Sequence, residues 1–476
     1  MAMMGTTLFD KIWDAHAVRA LDDGASLVYV DRVFLHERTG SIALTTLADQ
    51  DRDVRNPGHV FATMDHIIDT FPGRGDETLV PGGKNYIRTM RQAATSSDIR
   101  LFDIDDPRHG ITHLISAEQG ITLPGLDVAC PDSHTSTLGA LGAICWGIGT
   151  SDCEHVLATE TLRTAKPGQL RVWFDGKLGR GVTAKDMILH LIARYSAAGA
   201  RGFALEYAGP AIYELDMDAR FTLFNMAVEF SAFTGLIAPD RKTIDYVRGR
   251  PMAPDADTFD ACEREWLQLE SDPDAHFDLE YRIDCADIEP TVTWGTSPQH
   301  AVGIGGHAPD PEATSDADAR HNMQLALDYM GLAPGQPLQG LPIDAAFIGS
   351  CTNARLSDLR SAASVLEGRK VPDGVKAICT PGSRAVKQAA EKEGLDRIFR
   401  SAGFEWREPG CSLCFNAGGE GFAPGERIVS STNRNFRGRQ GPGARTHLAS
   451  PAMVAAAAVA GVITDSREFT IDEDAA

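Results

Sequence analysis

Short β-rich runs alternate with helix-length segments along nearly the whole chain, and this alternation constrains the fold more than any other feature. Residues 26–31, 170–174, 344–348 and 427–429 read as strands, and 183–195 and 357–367 as helices. A strand reaches a parallel neighbour only through a crossover, most simply a helix, so the pattern predicts α/β domains on largely parallel sheets. With 476 residues, at about 150 per domain, the length predicts about three such units. Pro/Gly-rich or acidic stretches at 166–168, 251–290 and 331–342 read as boundaries or long connections. Divisions near 167 and 290 give expected domains of 1–167, 168–290 and 291–476. The alanine run 455–458 reads as a packed helix.

Three times an apolar run feeds directly into a loop of small polar residues and then a helix-like segment: 127–130 into 131–137, 345–348 into 349–353, and 428–429 into 430–434. In open α/β sheets ligands collect where strand carboxyl ends meet helix N-termini, because free N–H groups and the helix dipole favour anions there. These three loops are the first candidates for chemistry.

Composition narrows the partners. The net charge of −21 opposes binding to nucleic-acid phosphates and to an anionic membrane face. The acidic excess is concentrated at 254–289, with thirteen Asp or Glu against two Arg. The acids lack a cation-loop spacing, so the stretch reads as solvated surface. Residues 1–15 carry no basic segment followed by an apolar one, and the longest apolar run, 452–463, is short of the ~20 residues a bilayer requires. A cytoplasmic protein without membrane or nucleic-acid partners is expected. Nine cysteines, odd in number and sparse, exclude a disulfide scaffold.

No phosphate-binding P-loop, zincin helix, nucleophile elbow or complete dinucleotide fingerprint occurs, and Gly147-Ile-Gly149 is only a fragment of the last. The strongest local signal is Pro409-Gly-Cys411-Ser-Leu-Cys414, with another cysteine upstream in Gly349-Ser-Cys351-Thr-Asn353. A C-x-x-C pair alone is compatible with a redox dithiol, half a zinc site, part of an iron–sulfur site or two buried thiols. No second short-spaced Cys or His pair completes a zinc site. Three loop thiolates from Cys351, Cys411 and Cys414, with one coordination corner open, would leave a metal centre free to act as a Lewis acid.

Histidines stand beside carboxylates in His36-Glu37, Asp65-His66, Asp132-Ser-His134 and Asp152-Cys-Glu154-His155, with His113 alone. A carboxylate fixes an imidazole's tautomer and raises its basicity, which suits proton transfer near neutral pH. Asp132-Ser-His134 lies on a strand-end loop. His155 falls in an expected helix over 151–162, capped by Ser151 with Glu154 at the third position, and reads as structural. Finally, the arginines and asparagines of 431–441 lie on a glycine-bearing loop one strand after the C-x-x-C, a pattern that fits either a solvated basic loop or a bidentate clamp for carboxylates.

Together, Ala62-Thr-Met-Asp-His66, Asp132-Ser-His-Thr135, Gly349-Ser-Cys-Thr-Asn353, Pro409-Gly-Cys411-x-x-Cys414 and Asn433-Arg-Asn-Phe-x-Gly-Arg439 resemble the aconitase superfamily over residues 8–464. The resemblance is greatest to the branch whose enzymes are divided into a large and a small subunit. It implies three α/β/α domains surrounding a [4Fe-4S] cluster, with a fourth domain on the separate small subunit. The implied ligands are Cys351, Cys411 and Cys414. The implied acid/base pairs are Asp65 with His66, Asp132 with His113, and His134 with Glu206. Ser133, Asn433, Arg434 and Arg439 would bind substrate carboxylates or support the site, while the proton-abstracting serine and further arginines would come from the small subunit. The implied reaction is isomerisation of a small 2-hydroxy dicarboxylate by dehydration and rehydration, with 2-isopropylmalate and leucine biosynthesis as the first expectation. A paralogue for 2-methylmalate and citraconate, or for 2,3-dimethylmalate, is the second. Readings from other classes are a cluster-free RNA-binding regulator, which the charge opposes, and a zinc or dithiol protein.

Three stretches depart from the pattern of the leucine-pathway enzymes. After His36-Glu37 the chain reads Arg38-Thr-Gly-Ser-Ile42 rather than a Val-Thr-Ser-Pro-Gln-like segment, 69–84 is unfamiliar, and Phe415 to Gly421 replaces a Leu-Ala-Met-Asn-like run. These differences bear on the substrate more than on the reaction type.

Overall fold

The computed structural model describes residues 5–469, so the outer limits 1 and 476 of the expected domains lie outside the described residues. Three parallel sheets form the framework. The first orders its strands Arg100–Phe102, Val60–Thr63, Arg32–His36, Asp127–Cys130, Ile144–Gly147. Another runs Gly235–Leu236, Phe203–Ala208, Gly168–Asp175, Leu279–Asp284. The last runs Glu405–Trp406, Lys376–Cys379, Ala345–Ile348, Arg427–Ser430, Arg445–Leu448. Two small antiparallel sheets flank these, one of Ala17–Ala20, Ala25–Tyr29 and Thr161–Ala165, the other of Thr291–Thr293 and Ala301–Gly303.

The central strands are apolar and covered on both faces, as parallel sheets require: Val60–Thr63, Asp127–Cys130, Ala345–Ile348 and Arg427–Ser430 are buried at every position. The helix Ala184–Tyr195 buries Met187, Ile188, Leu189, Leu191 and Ile192, and Asp186 accepts the backbone N–H of its cap Thr183 at 2.7 Å. The alanine run belongs to the buried helix Pro451–Ala460, whose small side chains let it pack closely on Leu356–Leu366. Among the described residues no helix is long and apolar enough to cross a membrane.

In the first and last parallel sheets the strand order reverses direction at a central strand. The reversal falls between Arg32–His36 and Asp127–Cys130 in one, and between Ala345–Ile348 and Arg427–Ser430 in the other. Such switch points open a crevice at the strand carboxyl ends. Three of those four ends carry the polar loops singled out above.

The structure corrects several sequence expectations. The acidic stretch 251–290 is no linker, because it contains the helix Ala256–Trp266 and the strand Leu279–Asp284, which pairs with Gly168–Asp175. The helix buries only Phe259 and Trp266 and the strand mainly Ile283, so acids fill exposed positions of regular elements. The helix expected over 151–162 is Thr150–Thr159, capped by Gly149, whose N–H reaches Asp152 at 3.3 Å. It ends where Glu160 turns left-handed at φ 57°, and a strand follows. Of the three polar loops, 430–434 leads into turns and the strand Arg445–Leu448 rather than into a helix.

Candidate active site

The strand Val60–Thr63 delivers Asp65 and His66 into the crevice, and neighbouring groups hold both in place. Asp65 is fully buried, accepts the N–H and hydroxyl of Thr112 at 2.9 and 3.0 Å, and meets His66 Nδ1 at 2.6 Å. From the end of the adjacent strand, Glu37 accepts the backbone N–H groups of Asp65 at 3.0 Å, His66 at 2.9 Å, and Ile67. The His36 ring stacks on His66 with centroids 4.0 Å apart. His36, Glu37, Asp65 and His66 bring ligand-type atoms within 4.8 Å of one another, but backbone N–H groups and imidazoles already occupy the two carboxylates.

Asp132 is the hub of the pocket. Its carboxylate meets His113 Nε2 at 2.7 Å and His66 Nε2 at 3.2 Å, and accepts the N–H of His134 at 2.8 Å. Burial opposes charge on both partners, yet Asp65 and Asp132 hold the His66 proton, lifting its pKa well above the ordinary histidine value. Burial likewise opposes ionisation of Asp132, and the histidines outweigh it, taking its pKa far below the ordinary range.

His134 reaches Glu229 Oε1 through Nε2 at 3.0 Å, and Arg434 Nε donates to the same oxygen at 2.6 Å. Burial again works against these charges, but Glu229 raises the His134 pKa, and His134 with Arg434 lowers that of Glu229. The resemblance had paired His134 with Glu206. That assignment is corrected: Glu206 lies on the strand Phe203–Ala208, does not line the pocket, and accepts the Ser271 hydroxyl at 2.7 Å. Burial pushes its pKa up to about 7.

Cys351, Cys411 and Cys414 are buried free thiols that line the same pocket. Asn225 Nδ2 donates to Cys351 Sγ at 3.2 Å and Asn433 Nδ2 at 3.5 Å. The Cys411 N–H donates to Asp65 O at 2.9 Å, tying the C-x-x-C turn to the loop of Asp65 and His66. A hydrogen bond from Cys411, helped by Arg439, His66 and His134, lowers the pKa of the Cys414 thiol, whereas burial pushes Cys351 up to about 12. The unfamiliar stretch 69–84 braces this turn: Arg74 donates to Pro409 O, the Glu408 N–H to Thr70 O at 2.8 Å, and Thr70 Oγ1 to Ser412 Oγ at 3.0 Å.

The pocket thus gathers His66, His113, Asp132, Ser133, His134, Cys351, Cys411, Cys414, Asn433, Arg434 and Arg439 of the expected residues, with Asp65 directly behind His66. Sequence reasoning missed Glu229, Asn225 and Lys185. The signal for the first two is a lone acid and a lone amide inside the apolar run 221–230. Lys185 is fully buried and donates to Ser431 O at 2.9 Å, Thr432 O at 2.6 Å and Asn353 Oδ1 at 3.4 Å. It fastens the loop before Asn433 to the loop bearing Cys351. His155 is exposed and lies outside the pocket.

Residues 10–461 match the model of the aconitase family (aconitate hydratase). The chain is 52% identical over 463 residues to 3-isopropylmalate dehydratase large subunit 1 of Bradyrhizobium diazoefficiens, covering 97% of each protein. It is 48% identical over 467 residues to the protein of the same description from Mannheimia succiniciproducens, covering 98% of each. Among solved structures, the holo-form of Thermococcus kodakaraensis aconitase X aligns with a TM-score of 0.47 at 12% identity, over 89% of this chain and 86% of that one.

Proposed function

The chain belongs to the aconitase family and has its α/β fold, and on that premise we propose that it is the large-subunit half of a hydro-lyase interconverting 2-isopropylmalate and 3-isopropylmalate in leucine biosynthesis. The observation that carries the reading is near-full-length identity of about half to two large subunits of that description, joined to a pocket that combines three thiols, carboxylate-held histidines and arginines.

The residues fit a [4Fe-4S] cluster. Three thiols face one pocket, amide N–H donors reach one sulfur, and cations favour the Cys414 thiolate. Cys351, Cys411 and Cys414 would hold it. When bound, the cluster supplies a Lewis acid that polarises the substrate hydroxyl and a carboxylate.

The chain's own residues handle protons and charge. His66, held as the cation between Asp65 and Asp132, donates its proton to the departing hydroxyl, which as hydroxide is a poor leaving group. His134, held by Glu229, serves as a second proton donor beside it. Ser133, Asn433, Arg434 and Arg439 grip the substrate carboxylates and hold the negative charge that grows as the carbon-bound proton leaves. His66 and His134 already carry protons and so are arranged to give them rather than take them. The base for the carbon-bound proton therefore belongs to the small subunit, the partner implied by the description of both relatives.

The test is anaerobic preparation of the chain with and without its small subunit. Brown protein absorbing near ~400 nm with about four irons per chain is expected, with hydration of dimethylcitraconate only when both subunits are present. Activity from the large chain alone, or from colourless metal-free protein, would refute the reading. Selective turnover of citraconate would move the substrate to 2-methylmalate.

A further inference from the structure

We propose that Arg38 is a substrate-binding residue that takes the carboxylate farther from the substrate hydroxyl at the mouth of the pocket; this rests on the site being that of a 2-hydroxy dicarboxylate dehydratase. Arg38 follows two anchored residues. His36 is buried and stacked on His66, and Glu37 is buried and holds three consecutive backbone N–H groups. The backbone that launches the Arg38 side chain is therefore fixed by the acid/base machinery itself. The side chain lines the pocket beside His66, Ser133 and Arg439.

Charge within the pocket points to an anion at this place. Asp132 and Glu229 are engaged by histidines, and Glu229 also neutralises Arg434. Two guanidinium groups are left over. Arg439 has a buried Nε without a partner, and Arg38 makes no ion pair or hydrogen bond with any described residue. In a chain of net charge −21 carboxylates are plentiful, so two unpaired arginines on one pocket stand out. Both lie against the same ring: the Arg38 guanidinium carbon is 5.2 Å and that of Arg439 5.6 Å from the Phe415 centroid. Stacking on an aromatic ring restrains a guanidinium while leaving its in-plane N–H groups free for a bidentate carboxylate. Arg439 comes from the loop after Arg427–Ser430 and Arg38 from the end of Arg32–His36, so the two cations approach from different sheets and suit the two ends of a dianion.

The experiment uses the cluster-bearing large–small pair with Arg38→Gln and Arg38→Lys, reading iron content, visible spectrum, steady-state kinetics and calorimetric titration. For Arg38→Gln, KM and the Kd for 2-isopropylmalate should rise about tenfold or more, with kcat within about threefold and the spectrum unchanged. Arg38→Lys should recover part of the loss. A monoacid probe lacking the distal carboxylate, 2-hydroxy-2,3-dimethylbutanoate, should bind wild type and Arg38→Gln alike. Unchanged KM and Kd for the diacid, equal weakening for diacid and monoacid, or loss of the small subunit or of iron in Arg38→Gln would overturn the proposal. Should the wild-type pair turn over no 2-hydroxy dicarboxylate, the dehydratase reading fails. Titration then still decides for Arg38, because absence of diacid binding sinks it and binding that depends on Arg38 upholds the receptor.

Discussion

Replacing Glu229 and Glu206 in parallel separates the partner that the structure assigns to His134 from the one that the resemblance implied. Glu229→Gln keeps the size of the side chain but removes the charge shared by His134 at 3.0 Å and Arg434 at 2.6 Å. Breaking a buried ion pair by neutralising one member costs about 3–5 kcal/mol when the other stays charged. His134 escapes part of that cost by losing its proton, so its pKa falls toward the ordinary histidine value. A proton donor that is empty at pH 8 costs about 10²–10⁴ in rate. We expect kcat/KM of Glu229→Gln to drop by at least about a hundredfold at pH 8, with the alkaline limb of the profile displaced to lower pH and part of the activity regained near pH 6. Glu206→Gln retains an acceptor for Ser271 and should stay within about twofold of wild type. Its stability moves the other way. Glu206 has a folded pKa of about 7 against an ordinary 4.5, so its burial weakens the fold increasingly as pH rises from 4.5 to 7, by up to about 3 kcal/mol above that window. Glu206→Gln should therefore equal wild type at pH 4 and be the more stable protein at pH 8. The assays are pH–rate profiles of the reconstituted pair and urea unfolding at both pH values. An inactive, iron-replete Glu206→Gln, or an unshifted profile for Glu229→Gln, would refute the assignment.

Cys411→Ser should lose iron and activity together, whereas Cys145→Ala, at a buried thiol that does not line the pocket, should keep both; iron analysis and visible absorbance read the difference. Lys185→Met removes the donor to the carbonyls of Ser431 and Thr432, so kcat/KM should fall at least about tenfold and stability by about 1–3 kcal/mol, measured by kinetics and denaturant titration. Glu37→Ala frees three N–H groups behind Asp65 and His66, and should lower kcat by about tenfold or more while KM changes little.

The strand ends that line the pocket were legible in the sequence because each joins an apolar run, buried on both faces, to small polar residues without a gap. That grammar is local, and it located Asp132, Ser133, His134, Cys351, Asn433 and Arg434. Partnership across elements is not local. Glu229 meets His134 from a turn after the helix Met217–Asn225, ninety-five residues along the chain, and no periodicity reports such a contact. Glu206, a carboxylate on a strand, suited the resemblance equally well on paper. The stretch 251–290 was misjudged for a different reason: an exposed helix and an edge strand on an acidic surface have the composition of a linker, and what distinguishes them is the two buried aromatics of the helix and the parallel pairing of the strand with Gly168–Asp175.

On the proposed function, the arrangement also accounts for how a strongly acidic chain would receive an acidic ligand. Surface carboxylates such as those of 254–289 act through solvent, where salt screens them beyond about 8–10 Å. Within the pocket every carboxylate faces inward on a proton or a cation: Asp65 on His66 and Thr112, Asp132 on three histidines, Glu229 on His134 and Arg434. Their negative charge is spent on keeping two imidazoles protonated. What is left to face a ligand is positive, from Arg38, Arg439 and the charged edges of His66 and His134. On that reading the carboxylates that hold the histidine protons also leave a positive lining suited to a dianion, and removing one of them should weaken proton donation and ligand selection together.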